Sequence, residues 1–121
     1  MPMANKTNLI QNFIDNSDAF IYLKDGEGRI LMVNRRLAEM LKLSKEEVIG
    51  KTDYDFFTKE DAEMFRANDR KVIETGTPMN FKSSISTPDG QITVIDHKFP
   101  VSVDGSPNAV GGIAIDITDS E

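Results

Sequence analysis

The sequence predicts an α+β fold, an antiparallel sheet with helices gathered on one face. Strand-like apolar segments folded at turn clusters occupy both ends of the chain, and helix-patterned segments with capping residues lie between them. With 121 residues, 39% hydrophobic and 28% charged, the chain has the size and composition of one globular domain with a modest core. Residues 1–18 read as a flanking amphipathic helix and residues 19–119 as the domain itself.

In the first segment Leu9, Ile10, Phe13 and Ile14 follow an i, i+1, i+4, i+5 spacing, which makes one apolar stripe on a short helix. That stripe suits either the domain's own core or a dimer interface. Phe20–Lys24 and Arg29–Val33 then flank Asp25-Gly26-Glu27-Gly28, a hairpin signal. Pairing Lys24 with Arg29 puts Ile21, Leu23, Ile30 and Met32 on one face and Phe20, Tyr22, Leu31 and Val33 on the other. Both faces are apolar, so both need cover, and the N-terminal helix is the candidate for the second.

Asn34 can cap a short helix over Arg35–Lys42, and Ser44-Lys45-Glu46-Glu47 is a capping box for another that stops by Gly50. The segment Lys51–Phe57 carries acids and aromatics at close spacing. Thr58 opens the longest helix, which runs to Thr75 and is closed by Gly76 and Pro78. Ala62, Phe65, Asp69 and Val72 share its stripe, with Met64, Asn68 and Ile73 alongside.

Met79–Thr87 is the third strand, turned at Pro88-Asp89-Gly90. A three-residue loop pairs Thr87 with Gln91 and sets Phe81 opposite His97. The last two strands, within Gln91–Asp119, fold at Asp104–Asn108. Pairing Val103 with Ala109 sets His97 opposite Ile115 and gathers Ile95, Phe99, Val101, Gly111 and Ile113 on the same face. The single histidine is thus predicted to point into the apolar side, in a row Phe81–His97–Ile115. A two-residue loop after Thr87 would reverse the parity and remove that row.

Net charge is −6 with dispersed lysines and arginines, which argues against a nucleic-acid surface. The absence of cysteine excludes disulfides, thiol catalysis and thiolate metal sites. No apolar run approaches the roughly 18 residues of a membrane span, and the first residues lack the apolar segment of a secretory signal. A cytoplasmic location without membrane contact is the expectation.

At this point the chain resembles the PAS domain family, sensor modules of bacterial and archaeal signalling proteins. The resemblance is carried by Asp25–Ile30, by Val33-Asn34 leading into Leu37–Leu41, and by Gly50–Phe57. It continues in Lys98–Val101 with Asp104-Gly105, in Gly111-Gly112, and in the closing Asp116-Ile117-Thr118. It implies a five-stranded antiparallel sheet in spatial order 2-1-5-4-3, with short helices and one longer helix enclosing a pocket over one face. It also implies a signal leaving through Asp116-Ile117-Thr118, with Asp116 and Thr118 as coupling residues. The chain would then be a module of a longer protein, a histidine kinase or another cytoplasmic output protein.

The candidate ligand-lining residues are Phe57, Phe65, Asn68, Val72, Phe81, Ile85 and His97, nearly the set that a plain hydrophobic core would use. A pocket imidazole could ligate haem or bond an anionic ligand. In haem-binding members of the family the iron ligand usually comes from the long helix, here Glu60–Thr75, which has no histidine. The resemblance therefore argues against haem, and the missing cysteine excludes a covalent flavin adduct. Asp53 and Asp55 could share a cation or cap the turn before Phe56-Phe57, and capping is the simpler role. Gly111-Gly112 lies inside a strand, where close helix packing explains it. The expected function is a non-catalytic sensor that binds a small ligand and forms a homodimer through the N-terminal helix and outer sheet face. An unliganded interaction scaffold is the first alternative. A small metal-dependent hydrolase is the second, and it requires Asp53, Asp55 and His97 to converge.

Overall fold

The computed structural model describes residues 5–120; residues 1–4 and 121, parts of the predicted flanking segments, lie outside the described residues. Helix α1 (Lys6–Asp15) leads into the hairpin β1 (Phe20–Lys24) and β2 (Ile30–Val33). Helices α2 (Arg35–Leu41), α3 (Lys45–Val48) and α4 (Lys59–Thr75) follow, with a 3₁₀ turn at Asp53–Asp55. Strands β3 (Met79–Thr87), β4 (Gly90–Val103) and β5 (Ser106–Asp116) complete the chain, with a 3₁₀ turn at Thr118–Ser120. The sheet is antiparallel, in the order β2-β1-β5-β4-β3 that the resemblance implies. Helices α2 and α4 pack on its inner face.

The helix ends follow the local chemistry. Asn34 accepts from the Leu37 N–H, Ser44 and Glu47 form the reciprocal capping box, and Thr58 accepts from the Asp61 N–H. Gly76 closes α4 at φ 64°, a left-handed conformation that a residue with a Cβ resists.

Asn34 does more than cap. It is fully buried, and its Oδ1 accepts from the backbone N–H groups of Ile21 (3.0 Å) and Leu37 (3.1 Å). Its Nδ2 donates to the carbonyls of Ile14 (2.8 Å) and Ala19 (2.9 Å). One amide thereby joins the end of α1, the start of β1 and the first turn of α2.

All three hairpin registers differ from the sequence expectation, and the two in the second half of the chain decide where His97 lies. The β3–β4 loop has two residues, so Thr87 pairs with Gly90, Phe81 with Asp96 and Asn80 with His97. The row Phe81–His97–Ile115 does not form. Between β4 and β5 the turn is Asp104-Gly105, both at positive φ (54° and 84°), the geometry of a tight hairpin. A bulge between Val101 and Val103 then restores the predicted parity with a two-residue shift, pairing Val101 with Ala109 and His97 with Ile113.

The apolar face of this hairpin does exist, but it is the outer one. Ile95, Ile113 and Ile115 are exposed, Ile115 to 57%, whereas Val94, Asp96 and Lys98 are buried beneath the helices. In the first hairpin Lys24 pairs with Ile30, not with Arg29 as expected, and a bulge at Leu31 turns Ile30 inward with Val33, against the expected division of faces, and leaves Leu31 exposed. Helix α1 packs against α2 and leaves Leu9, Ile10 and Phe13 in solvent, so the expected cover for Leu31 is not supplied by α1.

Candidate functional site

The sequence puts an aromatic cluster, Phe56 and Phe57, just before α4, and Phe65 one turn and a half into that helix. Folding brings the Phe57 and Phe65 rings edge to face at 5.0 Å. With Phe20, Leu37 and Ile85 they form the apolar wall of a cavity of about 50 Å³ between sheet and helices. One end of that cavity is polar, lined by Tyr22, Lys24, Asp53, Asp96 and Lys98.

These groups form one connected network with Asp69, which α4 places on the same buried stripe as Phe65 and Val72. Lys24 Nζ donates to Asp53 Oδ2 (2.5 Å) and to Asp69 Oδ2 (3.0 Å). Lys98 Nζ donates to Asp69 Oδ1 (2.8 Å) and to the Tyr22 hydroxyl (2.6 Å), and lies 3.2 Å from Asp96 Oδ2. The Tyr22 hydroxyl donates in turn to Asp96, at 2.9 and 3.0 Å from its two oxygens. Asp69 and Lys98 are each only 1% exposed, so these are charges that burial would penalise heavily if unpaired.

Their ionisation follows from the competition between burial and pairing. Burial alone would raise the Asp69 carboxyl, but the charges of Lys24 and Lys98 outweigh it and hold it below the ordinary value of 3.8. Burial and the charge of Lys98 push Lys24 toward deprotonation; Asp53 and Asp69 reverse that, and its pKa stands above 10.5. Lys98 is raised likewise, with burial overcome by Asp69 and then Asp96. Burial, reinforced by Asp96, pushes Tyr22 well above 10.0, so it stays a neutral donor. Two pH limits follow. Below 3.8 the unfolded chain takes up protons that Asp69 resists, so stability is lost as pH falls through the folded value of Asp69. Above about 10 the unfolded chain releases protons that Lys24, Lys98 and Tyr22 retain, so stability is lost as pH rises toward their folded values. A urea midpoint that stays constant from neutrality down through 3.8 would count against the pairing of Asp69.

Gly112 makes this geometry available. It faces inward on β5 opposite Tyr22, and a Cβ there would lie 2.0 Å from Tyr22 Cζ. The tyrosine ring therefore lies across the glycine to reach Asp96 and Lys98. The sequence expectation of helix packing at Gly112 is corrected: a side chain of the adjacent strand fills the space. Gly111, facing outward, makes room for Phe99 in the same way, at 2.7 Å. Gly112→Ala should cost about 1–3 kcal/mol or more by overpacking, read as a lower urea midpoint. The loss should shrink in a Tyr22→Ala background, and an equal loss there would show that Tyr22 is not the obstacle.

Of the seven residues singled out as lining, Phe57, Phe65 and Ile85 line the cavity. Val72 is buried within the fold without reaching it, Asn68 is half-buried on α4, and Phe81 faces inward on β3 but does not reach the cavity either. His97 is corrected outright. It is exposed on the outer face, its Nδ1 2.6 Å from Asn80 Oδ1 and its ring 5.7 Å from that of Phe99. The parity of the two-residue loop and the inward turn of Asp96 and Lys98 put it there. Asp53, Asp55 and His97 accordingly do not converge: Asp53 pairs with Lys24, Asp55 accepts from the Thr52 N–H to close the 3₁₀ turn, and His97 is across the sheet. Among the described residues no cluster of three or more His, Asp or Glu side chains is arranged to hold a metal ion.

At the end of β5, Asp116 Oδ1 accepts from both the backbone N–H and the hydroxyl of Thr118, at 2.9 and 2.5 Å. Those two bonds hold the Asp116 carboxyl below its usual range, with a smaller contribution from Arg36. Thr118 Oγ1 accepts from the Thr93 N–H (3.0 Å), and Ile117 donates to the Thr93 carbonyl (2.8 Å). The Asp116–Thr118 turn is thus tied to β4 one residue from Val94, a cavity-lining residue that pairs with Asp116.

The family model described as the PAS fold matches residues 14–121. The chain belongs to the PAS fold family. This is a sensory signalling fold, in general without catalysis of its own. Among curated proteins the chain is 28% identical over 119 residues to the transcriptional activator RocR of Bacillus subtilis, covering 95% of this chain and 25% of RocR. It is 29% identical over 119 residues to the methanogenesis regulatory histidine kinase FilI of Methanothrix harundinacea, covering 97% of this chain and 13% of FilI. The PAS chain therefore spans a quarter or less of these two relatives. Among solved structures it matches Vibrio cholera VqmA in a complex with ligand and DNA at TM-score 0.82 and 27% identity, over 98% of this chain and 54% of that one. A Vibrio cholerae VqmA structure without target DNA, described as a dimer, matches at TM-score 0.82 and 25% identity, over 97% and 53%. No helix among the described residues is long and apolar enough to cross a membrane.

Proposed function

We propose that this PAS domain senses a small molecule held non-covalently in the cavity, and that occupancy is passed to a following domain through Asp116 and Thr118. The observation that carries the reading is the cavity itself: an aromatic and aliphatic wall closed at one end by a few aimed polar groups, the usual build of a small-molecule site. The ligand-bound VqmA relative supports the same reading. Val94 and Ala114 line the cavity on β4 and β5, next to Thr93 and two residues before Asp116, so a ligand that spreads them strains the bonds at the junction. RocR and FilI support an output domain of the regulator or histidine-kinase kind in the parent protein. Native mass spectrometry of protein purified without added ligand tests the sensing half. The expected spectrum carries an extra small mass that disappears on denaturation, and hydrogen exchange at Thr93 and Thr118 should fall when that mass is removed, as the strain on their bonds is relieved. Unchanged exchange at both amides would separate the cavity from the junction and end the coupling claim.

Self-association is the second part of the proposal. Phe13 is 81% exposed on α1, and the outer face presents Ile95, Ile113 and Ile115, an apolar surface of the kind that partners cover. The dimeric VqmA relative supports a second copy of the chain as the occupant. Sedimentation should show a dimer that Ile115→Lys weakens. A strictly monomeric protein at high concentration would overturn this half and leave the sensing half standing.

A further inference from the structure

The charged lining of the cavity is balanced, Lys24 and Lys98 against Asp53 and Asp96, and Asp69 behind it gives the connected network one excess negative charge. Two lysines, Lys24 and Lys98, face three aspartates, Asp53, Asp69 and Asp96. Tyr22 is a neutral donor already committed to Asp96. An ammonium has three N–H bonds. Lys98 donates to Asp69 and Tyr22, and Asp96 faces the same ammonium as an ion pair at 3.2 Å. Lys24 uses two, on Asp53 and Asp69, and Lys24 lines the cavity.

We infer that the cavity selects neutral ligands carrying a hydrogen-bond acceptor for the third N–H of Lys24, and discriminates against carboxylates. The inference rests on the ligand-binding reading above and adds the chemical class. A carboxyl, amide, hydroxyl or ring nitrogen could each occupy the acceptor position by shape. The first is separated from the others by charge. An ionised carboxylate adds a negative charge to a network whose acids already outnumber its cations, in surroundings that screen poorly. A neutral amide or alcohol meets the free N–H without that repulsion and buries its apolar part against Phe20, Phe57 and Phe65.

The charge excess resides in a replaceable group. Asp53 sits on the 3₁₀ turn at the cavity rim, partly exposed, and Asp69 keeps Lys24 paired without it. Asp53→Asn removes one negative charge while retaining an oxygen acceptor toward Lys24, so the selection against carboxylates should be lost.

The test uses matched carboxylate and primary-amide pairs with alkyl and aryl tails of five to ten carbons, titrated into the 121-residue chain at neutral pH and followed by amide chemical shifts. Amides should bind the unaltered protein about tenfold or more tightly than their acids, the size expected of one unscreened like-charge contact. In Asp53→Asn the acid-to-amide preference should rise by a similar factor. Asp96→Asn makes the same charge change elsewhere in the network, so it stands in if Asp53→Asn does not fold. Acids that bind the unaltered protein as tightly as amides would overturn the inference while leaving the ligand site intact. So would displacement of Asp53 from Lys24 toward Arg66, whose buried Nη1 has no hydrogen-bond partner and which shares a second cavity of about 30 Å³ with Asp53. Binding by neither series, or shifts confined to the outer face, would instead remove the ligand-site reading and the inference with it.

Discussion

Asp69→Ala should lower stability by about 3–5 kcal/mol, the range measured when one partner of a buried ion pair is removed and the other stays behind. The reason is placement. Asp69 bridges Lys24 and Lys98 with one oxygen each, at 3.0 and 2.8 Å, and neither lysine can reach water without dismantling the packing of α4 on the sheet. Removal leaves Lys24 with Asp53 alone and Lys98 with Asp96 and Tyr22. Some compensation by those partners sets the lower end of the range. Asp69→Asn, which keeps the shape and one acceptor, should cost less. Replacing Asp69 and Lys98 together by Leu and Met should recover part of the single-mutant loss, because an apolar pair of similar volume leaves fewer stranded charges. Urea denaturation of the four proteins checks this. A loss under about 1 kcal/mol in Asp69→Ala would mean that water already reaches the lysines, contrary to a closed network.

Asn34→Ala should cost about 3 kcal/mol or more, since it removes the side-chain partner of four backbone groups, of which the Ile14 carbonyl keeps another donor, and each unsatisfied buried group costs roughly 1–3 kcal/mol. The four partners belong to α1, the α1–β1 segment, β1 and α2, so the loss falls on the seam between them rather than on one helix. Ile21 and Leu37 would lose their acceptor and the Ala19 carbonyl its side-chain donor, while the Ile14 carbonyl keeps the Ser17 N–H. Asn34→Asp separates the two halves: it keeps the acceptor for Ile21 and Leu37 but turns a buried, charged oxygen toward the Ile14 and Ala19 carbonyls, so its loss should equal or exceed that of Asn34→Ala. Hydrogen exchange at Ile21 and Leu37 should accelerate in Asn34→Ala and stay slow in Asn34→Asp. Equal exchange in both variants would assign the cost to something other than these bonds.

Much of the fold is legible in the sequence because its determinants are local. Asn34, Ser44 and Thr58 cap helices where their side chains can reach the next turn, and Gly76 ends α4, all within a few residues of the signal. Loop length is less legible: Pro88-Asp89-Gly90 permits either a two- or a three-residue turn, and the choice decides which face His97 occupies.

The polar end of the site was hidden for a different reason. On β4 the apolar alternates, Ile95 and Phe99, point outward, and the charged alternates, Asp96 and Lys98, point inward, the reverse of the usual rule for a half-buried strand. That arrangement is stable only because partners arrive from far along the chain, Asp69 from 29 residues before Lys98 and Tyr22 from 74 before Asp96. One sign was present in the sequence. An aspartate on the stripe of α4 that carries Ala62, Phe65 and Val72 demands a buried cation, and Lys24 and Lys98 are the strand residues that answer it.

The central claim is that small molecules bind against Phe57, Phe65 and Lys98, beneath the helices. The most direct measurement is a fragment screen on isotope-labelled protein, following backbone and methyl resonances together. The account predicts that binders shift Ile85, Val94, Ala114 and the α4 amides around Phe65, with Ile95, Ile113 and Ile115 unmoved. Binders that shift only those outer isoleucines, or a screen in which the cavity residues never move, would contradict it.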